Sequence, residues 1–407
     1  MGKNFWIVII TTFILVTGIF FVFRKERNSD EVIFWTLQMS DFAPYIEGVI
    51  SDFETENPDI KIKWVDVPFS EGEKRTLVSV LSNNPPDLVN LNPDFSATLA
   101  YKGALYEIPS DAVSQFNPEI MNSLKQRGKY YSIPWYSTSA ITIYNREIFY
   151  KAGFLPPVTY SQLAQFAPVV RAKTGAYITL PNITENDTML KILNKFGVSS
   201  SELINSEKSV EVFDMFKYLY SQDLIPKETV TMTLQEALEK YMSGNIAMLT
   251  AGANFLNMIK ENAPSTYAKT DVAPQITGEL GQNDFSLMNF VIPLRAKHKS
   301  EALKFALFLT NEQNQLELAR LTNILVVNQY ALENEFYTNY KDNDLMAKAR
   351  VISAKQLNKV QPVYKTGKGQ KDINNIINAA TQEILLDKGD TKSILDRAAK
   401  DWNNIEE

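Results

Sequence analysis

Cysteine is missing from this 407-residue chain, and with it go disulfides, thiolate nucleophiles and cysteine-based metal sites. Histidine is almost missing too. His298 is the single one, set between Lys297 and Lys299 just ahead of a helix-like run, and it reads as a solvated side chain. Serine–histidine triads and histidine-rich metal centres are thereby excluded, and neither a metal nor a cofactor is expected. There is no surplus of positive charge: 41 basic against 47 acidic residues give a net charge of -6, so nucleic acid is not an expected partner. The Walker loop, the G-x-G-x-x-G fingerprint and the G-x-S-x-G elbow are all absent, which removes the usual phosphate cradles and the hydrolase nucleophile. Acidic residues are numerous, so counting alone leaves a glycosidase-like carboxylate pair open. None stands in a diagnostic motif. Asp284 and Glu279, beside Gly281, read as a solvated loop; Asp41 reads as a helix cap; and the region of Asn343 and Asp344 lacks EF-hand spacing. No repeat of 20–50 residues and no low-complexity linker divides the chain.

What is present is an ordinary globular composition, 45% hydrophobic and 22% charged, in a chain long enough for two domains. One apolar run stands out. Residues 5–23 are broken only by Thr11, Thr12, Thr17 and Gly18 and would span roughly 28 Å as a helix. Arg24, Lys25 and Arg27 follow, and no Ala-x-Ala cleavage pattern occurs. Residues 1–28 therefore read as a membrane anchor or signal segment, an uncleaved transmembrane helix being favoured. Only Lys3 and the amino terminus are charged ahead of the run, so the positive-inside rule conflicts with an exported soluble part.

Beyond it, Val32, Ile33, Phe34 and Trp35 form a short strand pattern. Phe42, Ile46, Val49, Ile50 and Phe53 keep helical spacing up to Asn57-Pro58. Ile60, Ile62 and Trp64 alternate with lysines as a half-exposed strand. Leu77, Val80 and Leu81 suggest a helix, and residues 87–91 another strand. Such alternation is a doubly wound α/β pattern, which binds ligands at the carboxyl ends of its strands. Further helices are expected over 161–174, 210–221, 233–243, 301–309 and 312–321, and along two stripes near Ile373–Ile384 and Ile394–Trp402. Short strands are expected at 246–249 and 290–292.

The stretch 128–157 holds a turn, the aromatic cluster Tyr130, Tyr131, Trp135 and Tyr136 around Pro134, the strand-like run Ile141–Tyr144, and a helix capped by Asn145 and closed at Gly153. Taken locally, the aromatics fit ordinary core filling and a cleft wall equally well.

The order of motifs along the whole chain resembles the extracellular solute-binding proteins of ABC importers, family 1, the maltose-binding-protein-like group of type II periplasmic binding proteins. The resemblance is carried by Phe53-Glu54 with residues 57–62, by 85–89, 102–105 and 128–134 leading to 144–146, 152–153 and 156–160, by 242–248 with Gly252, and by 299–305. It implies a two-lobe α/β fold, periplasmic-binding-protein-like II, with discontinuous lobes: 29–137 plus 291–335 (N-lobe) and 138–290 plus 336–407 (C-lobe). It also implies a monomer that captures a sugar, commonly an oligosaccharide, by hinge closure and delivers it to a membrane permease from the extracytoplasmic face of the cell membrane, periplasmic or cell-surface. Aromatic faces would stack on the sugar's C–H faces, and polar side chains would pair with its hydroxyls.

Position by position, the resemblance carries solute binding onto Gln38, Asp94, Tyr136, Thr138 and Tyr364. Asn254 stands where many relatives have a stacking tryptophan, with Phe255 next to it as an alternative face, and residues 286–289 replace the usual paired glycines before the final crossing. Two other readings stay open: an anchored envelope glycan hydrolase, and a sensory or assembly protein that kept the clamp without transport.

Overall fold

In the computed structural model the described residues are 31–80, 82–322, 324–360 and 369–406. The expected anchor in residues 1–28 and the expected contact Tyr364 lie outside them. Among the described residues no helix is long and apolar enough to cross a membrane.

Among the described residues ten strands form two sheets: β1 (Glu31–Leu37), β2 (Lys61–Val67), β3 (Leu88–Leu91), β4 (Ile133–Thr138), β5 (Ala140–Asn145), β6 (Tyr177–Thr179), β7 (Ile246–Gly252), β8 (Thr270–Ala273), β9 (Ser286–Val291) and β10 (Leu325–Val326). The first sheet runs β10-β4-β9-β3-β1-β2 and the second β6-β7-β5-β8. β1 pairs in parallel with β2 and β3, as a doubly wound start requires, while β9 inserts antiparallel between β3 and β4.

The inner strands are buried on both faces by helices and carry near-continuous apolar runs, as β3 does, whereas the edge strand β2 alternates with exposed lysines, as its sequence pattern predicts. In the first sheet Phe34 meets Phe290 and Phe305 edge-on, at ring separations of 5.7 and 5.3 Å, and Trp135 stacks on Phe290 at 4.7 Å. This cluster faces the helices Ala43–Glu56 and Lys299–Leu309. The opposite face packs Leu37, Val89, Leu91 and Val291 against Leu99 and Val80. In the second sheet Met248 and Ala247 join the core of the helices Tyr160–Thr174, Glu207–Ser221, Gln370–Leu385 and Thr391–Glu406. Ile141, Ile143 and Leu249 join that of Leu234–Met242 and Phe255–Asn262.

The chain passes between the sheets where β4 runs through Ser139 straight into β5, and again between β8 and β9. β9 enters the first sheet already at Ser286, paired with Thr138, whereas the sequence placed residues 286–290 on the far side of that passage. The helix Leu345–Gln356 spans both bodies, with Ala349 in the second sheet's core and Ala354 in the first's.

Local signals set most element ends. Asn145 caps the helix Arg146–Ala152, its Oδ1 accepting from Glu147 N (3.0 Å) and Ile148 N (3.3 Å). Asn145→Ala is expected to cost about 1 kcal/mol, read as a lower urea midpoint with an unchanged slope. Asp41, expected as a cap, is not one. It lies inside a single 3-10 turn, Ser40–Phe42, and the next helix starts after Phe42 with no side-chain cap. The carboxylate that shapes this loop is Asp66, which accepts from Thr36 Oγ1 at 2.6 Å and from Ser40 N at 2.9 Å.

Candidate functional site

A cavity of about 370 Å³ opens where the two passages meet the second sheet, within the size range of small-molecule sites. Thr138–Ala140 and Asp284–Ser286 line it from the two passages, Thr179–Asn182 and Met248–Gly252 from the ends of β6 and β7, and Thr188, Lys191, Ile192 and Lys195 from the helix Thr188–Asn194 and the residue after it. Its mouth carries exposed Thr138, Thr250, Asn254 and Ser286. Its interior is made by Leu163, Ile192, Phe216, Met248 and Ile276, with Tyr160 and Phe285 as aromatic walls. Hydroxyl and amide groups at a mouth, with apolar and aromatic surface behind, suit a ligand that has both hydroxyls and C–H faces.

The wall holds a buried charge. Lys195 is 2% exposed, and its ammonium lies 2.8 Å from Asp284 Oδ1 while donating to Gln275 Oε1 (2.7 Å) and Ile276 O (2.8 Å). Burial by itself would push the Asp284 carboxyl up, but the Lys195 ammonium, with Lys191 behind it, overcomes this and holds it below the usual carboxylate range. Asp284 is thus no solvated loop residue. The sequence missed this because its partner lies 89 positions away, just past the end of a seven-residue helix too short for its periodicity to register. Glu279, by contrast, is exposed and pairs with Lys208 at 2.9 Å. Gly278 permits the arrangement: a Cβ there would run into the carbonyl oxygen of Lys195. At the cavity mouth Gly252 does the same for Asn254, whose Oδ1 folds back over it.

Behind the cavity a polar clasp joins the passages. Gln356 donates to Ser139 Oγ (2.8 Å) and Ala140 O (2.9 Å) and accepts from Gln275 N at 2.6 Å. Gln275 in turn donates to Asp284 O at 3.0 Å and accepts from Asp284 N at 3.1 Å. Both glutamines are buried, so these bonds are made in low dielectric, where an unmade one is costly.

Of the residues expected to bind solute, Thr138 and Asn254 line the cavity. Tyr136 does not, though it shares the β4 face with Thr138 two residues on. It is half-buried beside Trp135, with ring centroids 5.1 Å apart, and burial pushes its hydroxyl up to about 12, so it stays protonated. Asp94 sits half-buried in the first turn of Pro93–Tyr101, on the first-sheet side, and acts electrostatically on Lys191 across the gap. Gln38 is exposed after β1, at a φ of 51°, and Phe255 packs against the second sheet's core; neither lines the cavity. Tyr160, Phe285, Lys191 and Lys195 are among the lining residues that the sequence did not mark as solute contacts, and Asp284, read there as a solvated loop residue, joins them.

A model for the family described as bacterial extracellular solute-binding protein matches residues 48–347. The chain is similar to the sn-glycerol-3-phosphate-binding periplasmic protein UgpB of Salmonella paratyphi A, 22% identical with 91% of each chain covered. It is also similar to the multiple sugar-binding protein of Streptococcus mutans, 24% identical over 70% of this chain and 73% of that one. Among solved structures, one from Synechococcus sp. MITs9220, provisionally named an oligosaccharide periplasmic-binding protein, superposes with a TM-score of 0.81 at 29% identity, covering 92% of this chain and 98% of that one. The sugar-binding protein MalE of Xanthomonas citri shares the fold, with a TM-score of 0.78 at 18% identity over 92% and 97% of the two chains.

Proposed function

The chain belongs to the bacterial extracellular solute-binding protein family, and on that premise we propose that it is the substrate-binding protein of an ABC importer, a binder and not a catalyst, which captures a sugar of the oligosaccharide class. The lobes would be 29–137 with 291–335 and 138–290 with 336–407, with β9 straddling the second boundary. They would close on the solute by hinge bending, and the closed form would hand it to a membrane permease from the extracytoplasmic side. A ligand drives such closure only by binding the closed state better than the open one.

One observation carries the reading. The cavity lies on the two passages themselves, so a solute touching Thr138 and Ser286 touches both points at which the chain crosses between the sheets. Its exposed hydroxyl and amide groups and its Tyr160 and Phe285 walls match the two surfaces of a sugar. The sugar-binding names among the relatives and structural neighbours point the same way.

A thermal-shift panel of maltose, maltotetraose and acarbose tests it. A solute present at about 100 times its Kd adds about 2.7 kcal/mol to the folded state, so at least one should raise the melting temperature by several degrees and be recovered chemically unchanged. No shift with any saccharide at millimolar concentration would sink the carbohydrate reading, and recovery of cleaved glycan would favour a hydrolase. Asp94→Asn and Tyr136→Phe, which keep shape and remove one charge or one hydroxyl, are each expected to weaken saccharide binding about tenfold, equivalent to about 1.4 kcal/mol. Unchanged binding in both would remove the first-sheet side of the site.

A further inference from the structure

Lys191 and Lys195 stand one helical turn apart and both line the cavity. Two ammonium groups on a solute cavity are the usual equipment of an anion site. Here both are already engaged. Lys195 has three donors and three acceptors within reach: Asp284 Oδ1, Gln275 Oε1 and Ile276 O, at 2.7–2.8 Å. Lys191 pairs with Asp187 Oδ2 at 3.1 Å. Burial would lower the Lys191 ammonium's pKa, but Asp187, Asp284 and Asp94 together raise it, so it remains a cation held among carboxylates. Each ammonium thus has a carboxylate of its own, Asp187 on Lys191 and Asp284 on Lys195, and neither lysine brings an uncompensated charge to the cavity. A phosphate ester arriving there would carry roughly -1.5 to -2 charge, would give up its hydration, and would meet carboxylates ahead of any unengaged cation. An uncharged hydroxyl meets the opposite situation. It can donate to the Asp284 carboxylate, whose side chain is 20% exposed on the cavity wall.

We propose that this cavity selects an uncharged polyhydroxyl solute and refuses phosphate esters, with Asp284 accepting solute hydroxyls while Asp187 and Asp284 keep Lys191 and Lys195 from acting as an anion site. The inference rests on the solute-binding reading and names its substrate class, a choice that the relatives leave open because they include both sugar-binding and glycerol-phosphate-binding proteins. Asp284 also brings the solute to the hinge. Its backbone is held by Gln275, and Gln275 by Gln356, so a hydroxyl bound to its carboxylate bears directly on the second passage.

The test compares the wild type with Asp187→Asn and Asp284→Asn in thermal shift and calorimetry. The probes are sn-glycerol 3-phosphate, inorganic phosphate and maltotetraose, with sodium chloride matching ionic strength. The wild type should respond to neither phosphate probe. Each variant frees one lysine and should gain a rise in melting temperature with glycerol phosphate, corresponding to about tenfold or tighter binding. Asp284→Asn should at the same time lose its response to maltotetraose. That variant strands a buried ammonium and is the one at risk of not folding. Asp187 is 40% exposed, so Asp187→Asn decides the phosphate arm by itself if needed. A wild type stabilised by glycerol phosphate as strongly as by maltotetraose overturns the proposal, and so do variants that fold and stay as indifferent to phosphate as the wild type. If no saccharide shifts the wild type while the phosphate arms come out as expected, the carbohydrate reading falls and the charge assignment stands.

Discussion

Lys195→Met is expected to lower the stability of the folded chain by about 3–5 kcal/mol, the cost of removing one partner from a buried ion pair. Methionine fills nearly the same volume as the lysine stem, so the loss is electrostatic and not a cavity effect. It strands the Asp284 carboxylate, takes the ammonium donor from Ile276 O and leaves Gln275 Oε1 only the Asp284 N–H. At a few degrees per kcal/mol, the melting temperature should fall by roughly 10 °C. The double change Lys195→Met with Asp284→Leu should recover much of this, because replacing both ions by apolar groups is often neutral. A double variant as unstable as the single one would show that the loss comes from packing.

The same pair has a pH signature. In the wild type the Asp284 pKa is depressed on folding, so its contribution is present above the unfolded carboxylate value, about 3.9, and is lost as pH falls through the folded value. In Lys195→Met, burial dominates and the folded pKa rises. The variant's deficit should then be largest at neutral pH and shrink on acidification, as Asp284 takes up a proton. Urea melts at pH 7 and pH 5 would read this directly; a deficit independent of pH would argue against a stranded carboxylate.

Gln356→Leu should have the second-largest effect, about 1–3 kcal/mol, since it leaves the buried Gln275 N–H without its acceptor and leaves the Ala140 carbonyl only the longer bonds from Gln275 and Ser139, both at 3.4 Å. Leucine matches the volume but fills none of these roles. The loss should also be local. Amide exchange should rise at Gln275 and at Asp284, whose N–H donates to the Gln275 side chain, and solution scattering of the solute-free protein should show a changed radius of gyration as the passages loosen. Unchanged exchange at both amides in Gln356→Leu would mean that the clasp does not join the passages.

Much of this molecule is legible in its sequence for reasons that are local. The helix from Ala43 shows its buried face, Ile46, Val49 and Phe53, at helical spacing, and Asn145 and Thr233 cap the helices they precede. Even where an expectation stopped short, as at β7, which runs on from Leu249 to Gly252, the type of element was right. The misses have local reasons too. β6 has three residues and the helix Thr188–Asn194 seven, too few for a period to emerge. Asp41 has a capping side chain, but the turn at Met39 and Ser40 is held from another strand by Asp66.

The sequence by itself determined which residue types and motifs this chain lacks, the α/β alternation, and an order of motifs sufficient to place it in its family, because composition, periodicity and capping are properties of neighbouring residues. Only the tertiary structure decided what stands around the cavity. Ser139 and Gln356 are 217 residues apart, and Lys195 and Gln275 are 80 apart. Nothing beside a glutamine or an aspartate in the chain says which distant group will meet it, or that water will be excluded when it does. The stretch at 128–157 shows both sides of this. Its strands and its cap follow from local rules, while the burial of Trp135 on Phe290, and the exposure of Thr138 to the cavity, exist only because β9 returns to lie against β4.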